Sequence, residues 1–409
     1  MLLFLIYFLI SPLVYLCLLL TYPFNAKIRT LLNNQKKIIL NLKGKINKKN
    51  INKKIIIIHA ASAGEYEQIK PLLRSINKDI FFVIVTCMSP TIYQAIKNDK
   101  LADELCYHPF DFPWEARKFL KFINPDLYIT TRHDVWPIHL YYAKKMKIKT
   151  MIINANLYIS SKRLKWYFIN FTNYIYNLFD LIIVPSISIK KIFESKLNIY
   201  NTIHINDTRF EQILYRKKHS NDINELNSII NKKNIIFGSI SLNDLKLFDN
   251  YFLSEIYKKK IDWLIVVPHE LDEIIIKKIK NIFPESIRFS EVKNYNFNDY
   301  GCLIVDKVGI LPELYKYSTI AYVGGGFENG VHSTIEPLVY KNLVCHGPNY
   351  DLLDEAREML KNDLGVIIRN SKDIYNLFSK PINDNKIIDF ISDKNNSSKV
   401  ICDKINEIL

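Results

Sequence analysis

Several turns of this chain carry residue types suited to chemistry. Val323-Gly-Gly-Gly-Phe-Glu-Asn-Gly-Val-His-Ser-Thr-Ile-Glu-Pro337 runs from an apolar strand end through Gly324, Gly325 and Gly326 to His332, Ser333, Thr334 and Ile335, ahead of an expected helix that carries Glu336. Glycines let backbone N–H groups approach an anion, a helix N-terminus adds free donors, and a carboxylate one turn away can accept from ribose hydroxyls. The set suits a nucleotide-activated donor. Taken alone, the segment is equally consistent with a strand-to-helix turn that binds nothing. Phe327, Glu328 and Asn329 stand where a dinucleotide fingerprint requires its third glycine, which disfavours a nicotinamide dehydrogenase.

His59-Ala-Ala-Ser-Ala-Gly-Glu-Tyr-Glu67 follows an apolar run, placing Ser62, Gly64 and Glu65 at the carboxyl end of an expected parallel strand, where open α/β sheets build their sites. Glu65 is a candidate general base, although a carboxylate at a helix start can equally be a cap. Asp134, before Trp136-Pro137, either pairs with Arg132 or His133 or serves a reaction, and spacing leaves both open. Ser239 and Pro268-His269 follow two later strands, where Ser239 and His269 could donate to a phosphate, and Gly309 follows a third. His269-Glu270 is not a zincin motif, since Glu273 stands where its second histidine belongs.

The elements that must position these groups alternate short apolar runs with longer mixed segments. Runs at 55–59, 81–86, 127–130, 150–154 and 181–185, then 235–238, 263–267, 303–305, 320–323 and 343–346, predict two successive parallel sheets covered on both faces. At 409 residues, the chain suits two doubly wound domains and a cleft between them, joined near 198–207. Residues 1–24 carry no charged side chain and are long enough to cross a hydrocarbon core. No charge precedes this run and no small-residue cleavage site follows it, which argues against a signal peptide. Ten lysines and arginines and no acid between 25 and 54 predict that the body stays cytoplasmic, facing anionic lipid. The net charge of +15 sits in a Lys-, Asn- and Ile-rich composition and carries little weight alone. Cys17, Cys87, Cys106, Cys302, Cys345 and Cys402 are scattered without metal-ligand spacing and read as reduced thiols.

Together these segments resemble the 3-deoxy-D-manno-octulosonate (Kdo) transferase family, membrane-anchored glycosyltransferases of GT-B fold. The similarity runs through 59–72, 109–119, Trp136-Pro137, 154–161, Thr208-Arg-Phe-Glu211, Pro268-His269, 306–315, 324–337 and His346-Gly-Pro348. It implies transfer of Kdo from CMP-Kdo to the glucosamine 6′-hydroxyl of a lipid A precursor, with inversion, without a metal and with no nucleic-acid partner. Glu65 matches the family's base, and Asp134 and Arg209 match residues that assist the transition state. Pro268-His269, Gly309-Ile310-Leu311 and Ser333–Glu336 match segments that bind CMP. The implied domains are a single-pass anchor at 1–24, a basic juxtamembrane segment at 25–54, an acceptor-side Rossmann-like domain at 55–200, a donor domain at 208–390 and a C-terminal helix at 391–409. Arg132-His133-Asp134 replaces the common Glu-x-Glu, Pro268-His269-Glu270 replaces Pro-Arg-His, and His332-Ser333 replaces His-Asn. A GT-B enzyme using a UDP-sugar and a non-catalytic lipid A-binding protein are the alternatives.

Overall fold

The computed structural model describes residues 2–49, 52–294, 297, 301–328, 330–351 and 353–409. The chain forms two compact units, residues 1–212 with 395–409, and residues 213–394.

Unit 1 is built on a seven-stranded parallel sheet of β1 (Lys54–His59), β2 (Phe81–Cys87), β3 (Glu104–Tyr107), β4 (Leu127–Thr131), β5 (Lys149–Ile153), β6 (Leu181–Val184) and β7 (Thr202–His204). Its order is β3-β2-β1-β4-β5-β6-β7, so the chain reverses direction between β1 and β4, the switch point at which doubly wound sheets open a crevice. β1 and β2 are buried on both faces because nearly every side chain there is Ile, Val or Phe, each contributing about 1.5–3 kcal/mol on burial. Unit 2 repeats the plan with β8 (Asn234–Ile240), β9 (Trp263–Pro268), β10 (Ile287–Arg288), β11 (Gly301–Ile304), β12 (Ile320–Val323), β13 (Leu343–His346) and β14 (Gly365–Ile367), in the order β10-β11-β9-β8-β12-β13-β14. Its reversal lies between β8 and β12.

Three boundaries differ from the sequence reading. The division falls between Gln212 and Ile213, inside the helix Arg209–His219, so Arg209 belongs to unit 1. The last helix, Ser397–Ile408, returns to unit 1, where Ile401 and Ile405 join the core under β1 and Ser398 N donates to Glu211 Oε1 at 2.7 Å. The basic segment is a structural helix, α2 (Ala26–Lys49), whose Leu32, Ile38, Leu42 and Ile46 form a buried stripe, with Gln35 Nε2 donating to His108 O at 2.9 Å.

α1 (Leu2–Thr21) is long and apolar enough to cross a membrane. It is nevertheless docked along unit 1. Phe4 packs on Tyr174 with ring centroids 5.1 Å apart, Tyr15 packs on Phe112 at 5.4 Å, and Tyr7 OH donates to Asp111 Oδ2 at 2.9 Å. Mean hydropathy alone predicts a helix surrounded by lipid because it averages over this aromatic stripe.

Candidate active site

In unit 1 the site grows from the carboxyl ends of β1 and β4. After His59 the chain turns through 60–62 into α3 (Ala63–Ser75), with Ser62 as N-cap. Glu65 Oε2 accepts from Ala61 N at 2.8 Å and Ser62 N at 2.9 Å, while Ser62 Oγ accepts from Glu65 N at 3.2 Å, a reciprocal capping box. The carboxylate is therefore a cap, and its environment also suits a base. Burial first, and the negative charge of Asp134 second, raise its pKa above the ordinary carboxylate value, against the pull of the Ser62 and Ala61 amides and of Arg132. A side chain at Gly64 would meet only Ser62 Oγ, at 4.0 Å, so this glycine leaves open space over the turn.

Asp134 is held by the turn after β4, where Arg132 takes a left-handed φ of 50° and Asp134 N donates to Thr131 O at 2.9 Å. Behind it lies a group that the sequence reading left out. His59 is fully buried, with Nδ1 2.9 Å from Thr86 Oγ1 and Nε2 3.4 Å from Asp134 Oδ2. Its ring lies 4.2 Å from that of His108, which lies 4.4 Å from that of His139. Desolvation pushes the pKa of His59 and His108 down, so a neutral imidazole backs Asp134. The histidine residues are far apart in sequence, so no local pattern announced them.

Arg209 lies beside the same helix. Its Nε donates to Asp207 Oδ2 at 2.9 Å, and Gln68 Nε2, one turn beyond Glu65 on α3, donates to Asp207 Oδ1 at 2.7 Å. Asp207 and Gln68 thus carry Arg209 to the first turns of α3.

In unit 2, Ser239 takes a left-handed φ of 57° and its Oγ lies 2.8 Å from His269 Nδ1. His269, directly after Pro268 at the end of β9, stacks on His332 with centroids 4.1 Å apart and planes 13° apart. Both rings line a cavity of about 410 Å³ together with Ser241, Glu270, Gly325 and Glu328. Burial, then His269, lowers the pKa of His332. Asp244, which the sequence reading missed, is fully buried under this turn. Its Oδ2 accepts from Ser241 N at 2.7 Å and Gly325 N at 3.1 Å, and its Oδ1 accepts from Tyr322 OH at 2.6 Å.

The glycine cluster works differently from the expected anion cradle. A Cβ at Gly324 would lie 2.2 Å from Ser239 O and one at Gly326 2.6 Å from Gly347 N, so these two glycines serve backbone packing between strand ends. Gly325, at φ +86°, is the one that lines the cavity. The expected helix after Thr334 is only the five residues Ile335–Val339, too short for much dipole, with Thr334 Oγ1 buried and without a hydrogen-bond partner among the described residues. Ser333, Thr334, Ile335 and Glu336 lie outside the lining of the His269 cavity. The negative charge of Glu336 is felt by buried Tyr315, whose pKa burial, then Glu336, drives up. Gly309, at φ +88°, lies in the turn after β11, ahead of Ile310 and Leu311 at the start of a short helix, and its carbonyl accepts a hydrogen bond from Arg216, which also pairs with Glu313.

The family model of 3-deoxy-D-manno-octulosonic-acid transferase (kdotransferase) matches residues 36–211, which span α3, Glu65, Asp134 and Arg209. The chain is 25% identical over 369 residues to the 3-deoxy-D-manno-octulosonic acid transferase of Rickettsia prowazekii (strain Madrid E), covering 87% of this chain and 78% of that one. It is 25% identical over 324 residues to the enzyme of the same name from Aquifex aeolicus (strain VF5), covering 78% and 83%. Among solved structures, UDP-GlcNAc 2-epimerase from Neisseria meningitidis superposes with a TM-score of 0.61 at 14% identity over 87% of this chain and all of that one. That likeness speaks to fold alone, two doubly wound units of GT-B type. The matched segment holds the Glu65 turn, and relatives of one name match most of the chain, so the comparisons support a Kdo transferase.

Proposed function

We propose that the protein transfers Kdo from CMP-Kdo to the glucosamine 6′-hydroxyl of the lipid A precursor lipid IVA, with inversion at the anomeric carbon and no metal requirement, as a step of lipopolysaccharide synthesis on the cytoplasmic face of the inner membrane. The observation that carries the reading is the buried Glu65 carboxylate, its pKa raised beside Asp134 in a turn left open by Gly64. A base of that kind takes the hydroxyl proton as the oxygen attacks. Loss of CMP leaves an oxocarbenium-like carbon and a phosphate, and fixed donors can stabilise both. Asp134 and Arg209 are assigned to that task. Ser239 and the stacked His269–His332 pair are assigned to the phosphate, and Glu336 to the ribose.

Incubation with CMP-Kdo and a tetra-acylated lipid A precursor, followed by mass measurement, should show a Kdo adduct that persists in EDTA. Turnover of UDP-sugars with none of CMP-Kdo would favour the other donor class instead. Glu336→Ala should raise KM for CMP-Kdo more than it lowers kcat; an unchanged KM would remove Glu336 from the ribose.

The pH profile tests the pairing of the two acids. A general base works deprotonated, so activity is lost as pH falls through the raised pKa of Glu65. Asp134→Asn removes the second cause of that elevation, so the acid limb of kcat/KM should move to lower pH even though the maximal rate falls. A limb that stays in place would assign it to another group.

A further inference from the structure

α1 presents three stripes at helical spacing. Phe4, Phe8, Ser11 and Tyr15 dock it on unit 1. Leu2, Leu5, Leu9, Leu13, Leu16 and Leu20 are exposed. The flank between them, Leu3, Ile6, Ile10 and Val14, lines an apolar cavity of about 310 Å³ with Phe168 and Phe171 opposite. Phe168 and Phe171 also line a second cavity of about 210 Å³, and there the other walls include Val135 and Pro137, which follow Asp134 in sequence. The apolar lining thus continues from the membrane helix to the loop of a proposed catalytic acid.

Charge follows the same path. Lys162 and Arg163 line the second cavity, and Arg163 Nη2 is fixed by His133 O at 2.9 Å. Lys165 comes next, and then Trp166, which is 85% exposed, with Tyr167 and Phe168 exposed after it. Cations beside exposed aromatics mark a bilayer interface. A crossing α1 would carry Tyr7 into hydrocarbon and strip it of Asp111, leaving polar groups unsatisfied.

We propose that α1 lies in the plane of the membrane, leucine stripe in the lipid, and that the groove between its Leu3–Val14 flank and Phe168/Phe171 holds an acyl chain of the anionic lipid acceptor, with Lys162 and Arg163 meeting its phosphate. This rests on the acceptor reading above and adds where its chain is held. A first cavity of this volume is within the range of ligand sites, and its polar lining is confined to the Tyr7–Asp111 pair and Ser11, whose Oγ already donates to Phe8 O.

The test uses the full chain in phosphatidylethanolamine vesicles with a tetra-acylated lipid A precursor carrying a diazirine at one acyl terminus. Illumination should label peptides from α1 and from 166–171. Unlabelled precursor should displace the label and phosphatidylglycerol should not. Val14→Trp, which fills the groove, should cut labelling about tenfold, equivalent to roughly two methylenes of lost burial. Label falling elsewhere, displacement by phosphatidylglycerol as readily as by precursor, or labelling untouched in Val14→Trp would each overturn the groove. Adding CMP-Kdo to the same samples and weighing the product separates the two readings, since absence of a Kdo adduct with α1 labelled defeats the transfer step and leaves the groove standing.

Discussion

Glu65→Gln is expected to bind CMP-Kdo as the parent chain does while kcat falls by roughly 10²-fold or more, the usual scale for loss of a general base. The substitution separates the two duties of this side chain. A glutamine oxygen can still accept from Ala61 N and Ser62 N, which now converge on Oε2, so the capping box at the head of α3 survives. What it cannot do is take a proton from a hydroxyl. Donor affinity from equilibrium titration and kcat from product mass separate the two, and unchanged turnover would strip Glu65 of the role. Glu65→Ala is a poorer probe because it also removes the acceptor of the Ala61 and Ser62 amides.

Asp244→Ala should produce the largest structural loss in unit 2. Its carboxylate is fully buried and collects Ser241 N, Ser241 Oγ, Gly325 N and Tyr322 OH, tying β12 and the glycine turn to the loop after β8. Removing it strands several buried donors, each worth about 1–3 kcal/mol when left unpaired, so unfolding in urea should lose on the order of 3 kcal/mol or more. Gly325 lines the His269–His332 cavity, so donor affinity should fall with stability. A variant with both quantities unaltered would mean that the turn is held by its own backbone bonds, such as His332 N to Gly324 O.

Local pattern carried some parts of this protein and missed others. The ten strand runs read from apolar runs are the central strands of the two sheets. β3, β7, β10 and β14 were missed, and these are the four edges, short and only partly buried. An edge strand has one neighbour and one sheltered side, so selection for continuous Ile and Val runs is weak there. Glu65 and Asp134 were legible because each directly follows a central strand. His59, His108 and His139 were not, nor Asp207 with Gln68, because each partner comes from a different element of the fold, far away in sequence.

The order of apolar runs, the turn chemistry of Ser62 to Glu65 and the unbroken hydropathy of α1 were thus set by residues within a few positions of one another, and the one-dimensional chain determined them: two parallel sheets, a capped acid and a helix long and apolar enough to cross a membrane. The tertiary structure alone decided that Gly324 and Gly326 pack against other loops and that Asp244 underpins Gly325. It also decided that the last helix belongs to unit 1 and that an aromatic stripe docks α1 there. Those outcomes depend on which distant segments meet, and close packing and buried-donor satisfaction act only once they have met.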